Sequence, residues 1–283
     1  MAVMLVMSSG LLNAVWNLFA KQSRHKVVFL WSFQWIAFAA FMPWALFALQ
    51  HHPVVLAGWL LLLVAASVHG AYVILLSLTY SAGDLSSVYP LMRGTSPLLV
   101  PILGILLLGE HLSSLGWLGV GAVVTGIMVL GGWLSPARLS MTRSRVPKST
   151  WLALTVGLLI VAYTTLDKVT LHYVPAVALN DGSNLTNLIA LSWWALRSGA
   201  IKTEWSTNWK TIVATGILSP GGYLLFLLAL RLAPVTQLAP MREMGIVFAT
   251  LLGLVMLKER EGRKRMIAAG LITAGAILLG LWG

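Results

Sequence analysis

The sequence predicts an all-α integral membrane protein in which ten transmembrane helices form two inverted-topology five-helix repeats. Three observations predict this fold: a membrane-like composition, ten long apolar segments, and motifs of the first half that recur in the second. Of the 283 residues, 58% are hydrophobic and 10% are charged, and the mean hydropathy is +0.87. In a soluble domain about a quarter of the residues are charged. The apolar runs are continuous, which favours helices over the short alternating segments of a β-barrel.

Ten apolar segments are long enough to cross a bilayer, which takes ~20 residues per helix. These spans lie at residues 3–20, 28–49, 54–79, 85–108, 113–133, 151–171, 174–196, 211–230, 234–257 and 266–282. A basic stretch divides them into two sets of five. We therefore predict a first repeat over residues 1–134, a cytoplasmic linker over 135–150 and a second repeat over 151–283. Because five is odd, the second set enters the membrane from the opposite side, as in many secondary transporters.

Two motifs carry the repeat. Tyr89-Pro90-Leu91-Met92-Arg93-Gly94 is echoed by Ala239-Pro240-Met241-Arg242-Glu243, with the two arginines 149 residues apart. Residues 16–21 align with residues 163–168 at a spacing of 147. An ionisable residue inside a membrane segment is costly and marks a functional site by default, so a repeated arginine predicts a site shared by both halves.

The basic residues predict the orientation. Fifteen of the 19 Lys and Arg residues follow spans 1, 3, 5, 7 and 9, on what we call the basic face, whereas the opposite face carries only Arg231. By the positive-inside rule the basic face is cytoplasmic and both termini are non-cytoplasmic. We expect a multi-pass protein of a bacterial-type inner membrane. The net charge of +11 then faces anionic lipid, and we predict no nucleic-acid partner.

Arg93 and Arg242 are the leading candidates for substrate binding. Each lies eight residues into its span, ~12 Å deep in a core ~30 Å thick, and the two approach the midplane from opposite faces. A guanidinium keeps its charge and its fork suits a carboxylate or a phosphate. The pair is therefore predicted to bind an anion in a central cavity. The alternative is an internal ion-pair lock in which Glu243 pairs with another helix and so with Arg93. Glu243 is itself also predicted to line the cavity and bind substrate.

Other polar residues are predicted to line the same cavity. Asn13 and Asn17 share one face of span 1 beside Trp16, although hydrogen bonding between helices explains them equally well. His69, with Tyr72 one turn away, could couple proton movement, and a packing role is the alternative. The remaining candidates come from spans 4, 7 and 8, namely Tyr89, Asp181 with its neighbours Asn180, Asn184 and Asn187, and Tyr223 after Pro220-Gly221-Gly222.

Several features are predicted to be structural. Asp167 and Lys168 lie near a helix end, where charges can reach the interface and need no function. Glu110 is expected to be a turn residue at the interface. The small-residue pairs Ala122/Gly126 and Gly270/Ala274 permit close helix approach, within a monomer or between the subunits of a homodimer.

The sequence offers no case for an enzyme. Without cysteine there is no disulfide, thiol chemistry or Cys-ligated metal site. We find no nucleotide-binding loop, Ser-His-Asp set or metal-ligand cluster. We therefore predict no catalytic residue, no cofactor and no metal.

The whole chain resembles the drug/metabolite transporter superfamily, EamA type. The resemblance rests on two five-span halves, in which Gly109-Glu110 and Lys258-Glu259 each close a long apolar run and precede a span rich in small residues. The stretch Asn13-Ala14-Val15-Trp16-Asn17 with Lys21, together with residues 89–94, is similar to a subgroup associated with phosphonate-utilisation gene sets. The resemblance implies a secondary transporter with a central cavity and alternating access. It does not give the substrate.

Two departures from the family pattern bear on function. Many relatives have cytoplasmic termini, whereas the charges here place the termini outside. Span 1 here also lacks the carboxylate of the small multidrug-resistance relatives, which counts against export of polyaromatic cations. We predict a transporter of a small anionic or zwitterionic metabolite. The alternatives are an exporter of amino acids or drugs in which the arginines are structural, and a flippase for a lipid-linked substrate.

Overall fold

The computed structural model describes residues 1–82, 85–132, 148–257 and 262–283, without the side chains of residues 21–22, 80–81, 85–90, 253–257 and 262–265. Short turns apart, these ranges are helical, which confirms the all-helical prediction. The helices are α1 (Ala2–Gln22), α2 (Lys26–His51), α3 (Leu56–Ala82), α4 (Leu85–Leu108), α5 (Ser114–Leu130), α6 (Lys148–Thr170), α7 (Ala176–Arg197), α8 (Ile201–Leu230), α9 (Val235–Met241), α10 (Met244–Leu257) and α11 (Gly262–Trp282). Of these, α9 and α10 follow each other along the ninth predicted span.

Six of the described helices are long and apolar enough to cross a membrane: α1, α2, α3, α4, α6 and α8. Residues 114–130 and 266–282 form shorter apolar helices. Large apolar side chains cover the outside of the bundle; Leu63 and Ile189 are both 65% exposed and Leu106 is 71% exposed. Such a surface is stable against lipid, where helices satisfy their own backbone groups.

The eighth helix is longer than the sequence predicted. It begins at Ile201, ten residues before the predicted span, and carries a kink at Asn208 (φ −121°, ψ 17°). The extension is polar, yet Glu204 within it is fully buried. Its carboxylate accepts hydrogen bonds from the Asn208 side chain (2.7 Å) and from the backbone N–H of His25 (3.0 Å). Hydropathy did not predict this polar extension of α8, because polar contacts with the α1–α2 loop stabilise it.

The ninth span is broken, whereas the sequence predicted one helix distorted by proline. Pro240 lies within α9, which ends at Met241, and α10 begins at Met244. Arg242 and Glu243 form the turn between them, closed by short-range bonds such as Gly245 N–H to Arg242 O (3.1 Å). Since proline lacks a backbone donor, the helix is weakest here. The break places two charged residues where two helix ends meet.

Helix packing joins the two halves of the chain. The main pairs are α5 with α11, α1 with α8, α2 with α7, α4 with α6, α3 with α6 and α7, and α1 with α10. Small residues allow the closest approaches: a Cβ added to Gly275 would lie 2.5 Å from Gly119 O, and one added to Gly126 would lie 2.9 Å from Ala268 O. Gly270, in contrast, has nothing within 4 Å. The small residues of α5 therefore serve packing within the chain.

Candidate functional site

A polar cavity of about 120 Å³ lies at the centre of the bundle. Helices α1, α2, α3, α4, α6, α7 and α8 and the α9–α10 turn all contribute to its wall. Its lining comprises Ser9, Asn13, Trp16, Leu30, Phe33, Gln34, His69, Tyr72, Val73, Leu76, Arg93, Tyr163, Asn180, Ser183, Asn184, Asn187, Ser219, Pro220, Gly222, Tyr223 and Arg242. The cavity is thus built jointly by both halves of the chain.

The cavity lining spans the middle of the bundle and approaches both faces. Leu30 and Phe33 lie in the first turns of α2, which begins at the α1–α2 loop on that face. Leu76 lies in the last two turns of α3, which ends on the same face. Towards the opposite face, the lining includes Asn180 in the first two turns of α7 and Ser9 in the first half of α1.

Arg93 and Arg242, the two arginines of the repeated motif, both line this cavity, but their surroundings differ. Arg93 Nε lies 3.2 Å from Glu243 Oε2, and the two side chains are only 12% and 3% exposed. Glu243 does not line the cavity. The ion pair that the sequence offered as the alternative is therefore present at Arg93. It joins α4 to the α9–α10 turn.

Arg242 is held by aromatic rings. Its Cζ atom lies 4.9 Å from the centre of the Tyr223 ring and 4.4 Å from that of Phe226, within the range of cation–π attraction. Its buried Nε makes no hydrogen bond to any residue that the structure describes. Ring faces stabilise a guanidinium without occupying its N–H groups. Arg242 therefore offers donors to the cavity.

A buried acid–histidine–tyrosine cluster lies beside Arg242. His69 Nε2 is 3.0 Å from Asp167 Oδ2, and the Tyr223 hydroxyl donates to the same oxygen. The His69 ring stacks on Tyr163, with ring centres 4.2 Å apart. Asp167 is fully buried. The prediction that its carboxylate reaches the interface was wrong, because this face of α6 packs against α3 and not against lipid.

Amide and hydroxyl groups complete the lining. Asn180 donates to Pro220 O (3.2 Å). Four other lining residues have buried polar atoms that make no hydrogen bond within the described part of the chain: Ser9 Oγ, Gln34 Oε1, Asn184 Nδ2 and Asn187 Oδ1. Since buried polar groups are normally paired, these atoms fit a polar guest.

The other candidates from the sequence have mixed placements. Asn13, Trp16, Tyr72, His69 and Tyr223 line the cavity. Asn17 does not, and its Nδ2 donates instead to the backbone oxygen of Asn13 (2.7 Å). Asp181 is 4% exposed but lies outside the lining, unlike its neighbours Asn180 and Asn184. The side chain of Tyr89 falls outside the described residues.

Sequence reasoning did not select Tyr163, Gln34 or Ser9. A signal for Tyr163 was available, since the repeat aligns it with Trp16, itself a predicted lining residue. No comparable signal marks Gln34 or Ser9.

The end of the bundle opposite the basic face is held by Glu110. Gly109, at φ 65°, turns the chain after α4. The Glu110 carboxylate then accepts the N–H groups of Val235 and Thr236, both at 2.9 Å, at the start of α9. Lys168 Nζ, 3.9 Å from the same carboxylate, donates to Ala233 O (2.9 Å). Glu110 is therefore a helix cap that ties α4, α6 and α9 together, which is more than the predicted turn residue.

A family model and a solved structure match almost the whole chain. A family model described as the EamA-like transporter family matches residues 1–132 and 148–281. No curated protein matches the chain. A solved structure titled "Crystal structure of protein" superposes with a TM-score of 0.74 at 18% identity, over 99% of this chain and 96% of that one. At this identity the likeness is one of fold.

Proposed function

Because the chain belongs to the EamA-like transporter family, we propose that this membrane transporter moves a small anionic or zwitterionic metabolite by alternating access. Members of the family are transporters of drugs and metabolites and not enzymes. The bilayer and a small-molecule substrate follow from family membership. The charge of the substrate and the mode of access are our proposal.

The charge of the cavity lining carries the proposal. Among the described lining residues there are two guanidinium groups and His69, and there is no carboxylate. Arg93 already pairs with Glu243, whereas Arg242 has ring faces as neighbours. An anionic group of the substrate would therefore bind at Arg242, where charge-assisted hydrogen bonds are strongest. The amides of α7 would hold the remaining polar groups.

The size of the cavity favours a metabolite over a drug. At about 120 Å³ it is well below the ~300–1,000 Å³ of pockets that enclose drug-sized ligands. Phosphonates, the class suggested by the narrower resemblance, are small anions that suit such a site. A flippase would instead need a basic pocket open to lipid, and the arginines here face a central cavity.

Substitution of Arg242 by lysine tests the substrate class. Lysine keeps the charge but loses the planar fork, so we expect about tenfold or greater weakening of anion binding, because hydrogen bonds to charged groups contribute about 1.5–3 kcal/mol. The measurement is the thermal stability of purified protein with methylphosphonate, inorganic phosphate, L-glutamate, glycine or choline, since a ligand of the native state raises the melting temperature.

Arg231→Lys is the matched control, because Arg231 is exposed and lies outside the cavity. The control should keep the wild-type response. The proposal is overturned if choline alone stabilises the wild type, or if Arg242→Lys retains full affinity for each anion that binds.

The packing of the helices supports the inverted repeat. In the proposed repeat, α1 corresponds to α6, α2 to α7, α3 to α8, α4 to α9 and α10, and α5 to α11. If each helix is replaced by its counterpart, the contact α1–α8 becomes α6–α3, α4–α6 becomes α10–α1 and α3–α7 becomes α8–α2, and each of these contacts is present. The pairs α2–α7 and α5–α11 convert into themselves. The main helix pairs are thus unchanged by this exchange, as two related halves would produce.

Two close contacts between helices at glycine residues also correspond between the two halves. Gly10 on α1 lies against Gly245, and Gly157, 147 residues later, lies against Thr95 on α4. A side chain at either position would meet backbone or a β-branched residue at 3.0 Å or less. The 149-residue spacing of the arginines aligns Gly245 with Ser96, next to Thr95, so the two contacts correspond to within one residue and support two related halves.

We propose that the basic face is cytoplasmic and that both termini lie on the other side of the membrane. A reporter enzyme that is active only in the cytoplasm, fused after Gly283, is then expected to be silent, while the same reporter inserted between Ser198 and Gly199, on the basic face, is expected to be active. The insertion serves as the positive control for expression. A bright C-terminal fusion would reverse the assignment.

A further inference from the structure

We propose that Asp167, His69 and Tyr223 form a proton-binding site that is coupled through Tyr223 to Arg242, so that a proton and the substrate anion bind together. The coupling to an anion rests on the proposed function, whereas the proton site itself does not. The proposal names protons as the coupling ion and symport as the mode.

Asp167 is buried at a depth where a charge is costly. The carboxylate is fully buried inside a membrane helix, where an uncompensated charge is costly. Its two hydrogen-bond donors both reach Oδ2, while Oδ1 makes no hydrogen bond to the residues that the structure describes. With neutral His69 the cluster carries one negative charge. One proton taken up between His69 and Asp167 brings that charge to zero.

The cluster is reached from the cavity. His69 and Tyr223 line the cavity, and Asp167 lies behind them. Tyr223 OH is 3.5 Å from His69 Nε2, so both donors of the carboxylate are themselves in contact. A proton entering from the cavity therefore meets His69 and Tyr223 before it reaches Asp167. No group on the lipid-facing side is required.

Tyr223 links the cluster to Arg242. Tyr223 donates its hydroxyl to Asp167 and offers its ring face to the Arg242 guanidinium. Protonation removes a negative charge from the neighbourhood of Arg242, which then attracts an anion more strongly. By linkage, a bound anion favours protonation by the same factor. The two ligands therefore stabilise each other in the cavity and cross together.

The charged groups around His69 are accounted for helix by helix. Its own helix adds Tyr72, α6 presents Asp167 and Tyr163, and α8 presents Tyr223. Helix α4 presents Arg93, and the α9–α10 turn presents Arg242, with Glu243 paired to Arg93. Helix α7 contributes amides to the lining, and its acid Asp181 does not line the cavity. Asp167 is thus the one carboxylate in direct contact with His69 among the described residues.

Cysteine labelling tests the site without any substrate, since the chain contains no cysteine. Ser219, which lines the cavity, is replaced by cysteine in the wild-type and Asp167→Asn backgrounds. The rate of reaction of the purified proteins with N-ethylmaleimide is measured from acidic to alkaline pH. At each pH the ratio of the two rates cancels the titration of the thiol itself. Asparagine imitates the protonated acid.

We expect the ratio of the wild-type rate to the Asp167→Asn rate to be near one at acidic pH and to differ from one several-fold at alkaline pH. The pH at which this ratio changes is called the pH step. A ratio that is constant with pH overturns the proton site. Tyr223→Phe keeps the ring and removes the hydroxyl, and it gives a second test if Asp167→Asn folds poorly. In the Tyr223→Phe variant the pH step should move to higher pH. Glu204→Gln, which removes a buried acid outside the cavity, should leave the step at its wild-type position.

The link to Arg242 is tested in the same assay. Removing the cation with Arg242→Gln should move the step to higher pH, whereas Arg231→Gln should not move it. An unmoved step in Arg242→Gln overturns the coupling. The labelling assay contains no substrate. A pH step in this assay, together with no thermal stabilisation of the protein by any anion, would therefore refute the proposed substrate class and still support the proton site.

Discussion

Glu243→Met is expected to lower the free energy of unfolding by about 3–5 kcal/mol, the usual effect of removing one partner of a buried ion pair. Glu243 is 2% exposed and lies within the electrostatic reach of both Arg93 and Arg242. Its loss leaves Arg93 without its carboxylate partner and removes a negative charge beside Arg242. Arg93→Met should cost less, because Glu243 then still faces Arg242.

The double variant Arg93→Met/Glu243→Met is expected to recover most of the loss, since well-packed apolar residues often replace a buried ion pair without penalty. The measurement is reversible unfolding in detergent. Arg197→Met is the matched control: Arg197 is exposed and stacks on Trp193 with its Cζ 3.6 Å from the ring centre, so about 1 kcal/mol or less is expected. Additive losses in the double variant would contradict an ion-pair role.

The fold was largely predictable because membrane helices follow from local composition. Each predicted span corresponds to helix in the described residues, and the family match confirms the membrane transporter. The errors have local physical causes. Helix α8 extends over polar residues because Glu204 finds hydrogen-bond partners on another loop. Helices α9 and α10 separate at Arg242 because charged side chains meet partners there that no local pattern reveals.

The cavity was predictable only where the sequence repeats. The repeated arginines and the span-1 polar stripe pointed to residues that do line it. Asp167 was misjudged because its distance from the helix end suggested an interfacial charge. Its burial depends on His69 and Tyr223, which are 98 and 56 residues away in the chain. Contacts at such separations follow from tertiary packing alone.

Weakening of the closed end opposite the basic face is expected to expose the cavity there. Alternating access requires that this end open, and Glu110 holds it closed by accepting the N–H groups of Val235 and Thr236 while facing Lys168. Glutamine has one acceptor oxygen, so Glu110→Gln loses one of these bonds and the charge. Hydrogen bonds to charged groups contribute about 1.5–3 kcal/mol.

Since 1.4 kcal/mol corresponds to a tenfold change in an equilibrium constant, we expect Glu110→Gln to raise the open population about tenfold or more. The measurement is labelling of a cysteine at position 219 in intact cells by a membrane-impermeant maleimide added outside. Glu204→Gln makes the same change at the basic face, where Glu204 ties the α1–α2 loop to α8, and should not raise labelling from outside. Because the two variants alter opposite ends of one bundle, an equal rise in both would indicate general loosening. A rise confined to Glu110→Gln would locate the closure at the α9 cap.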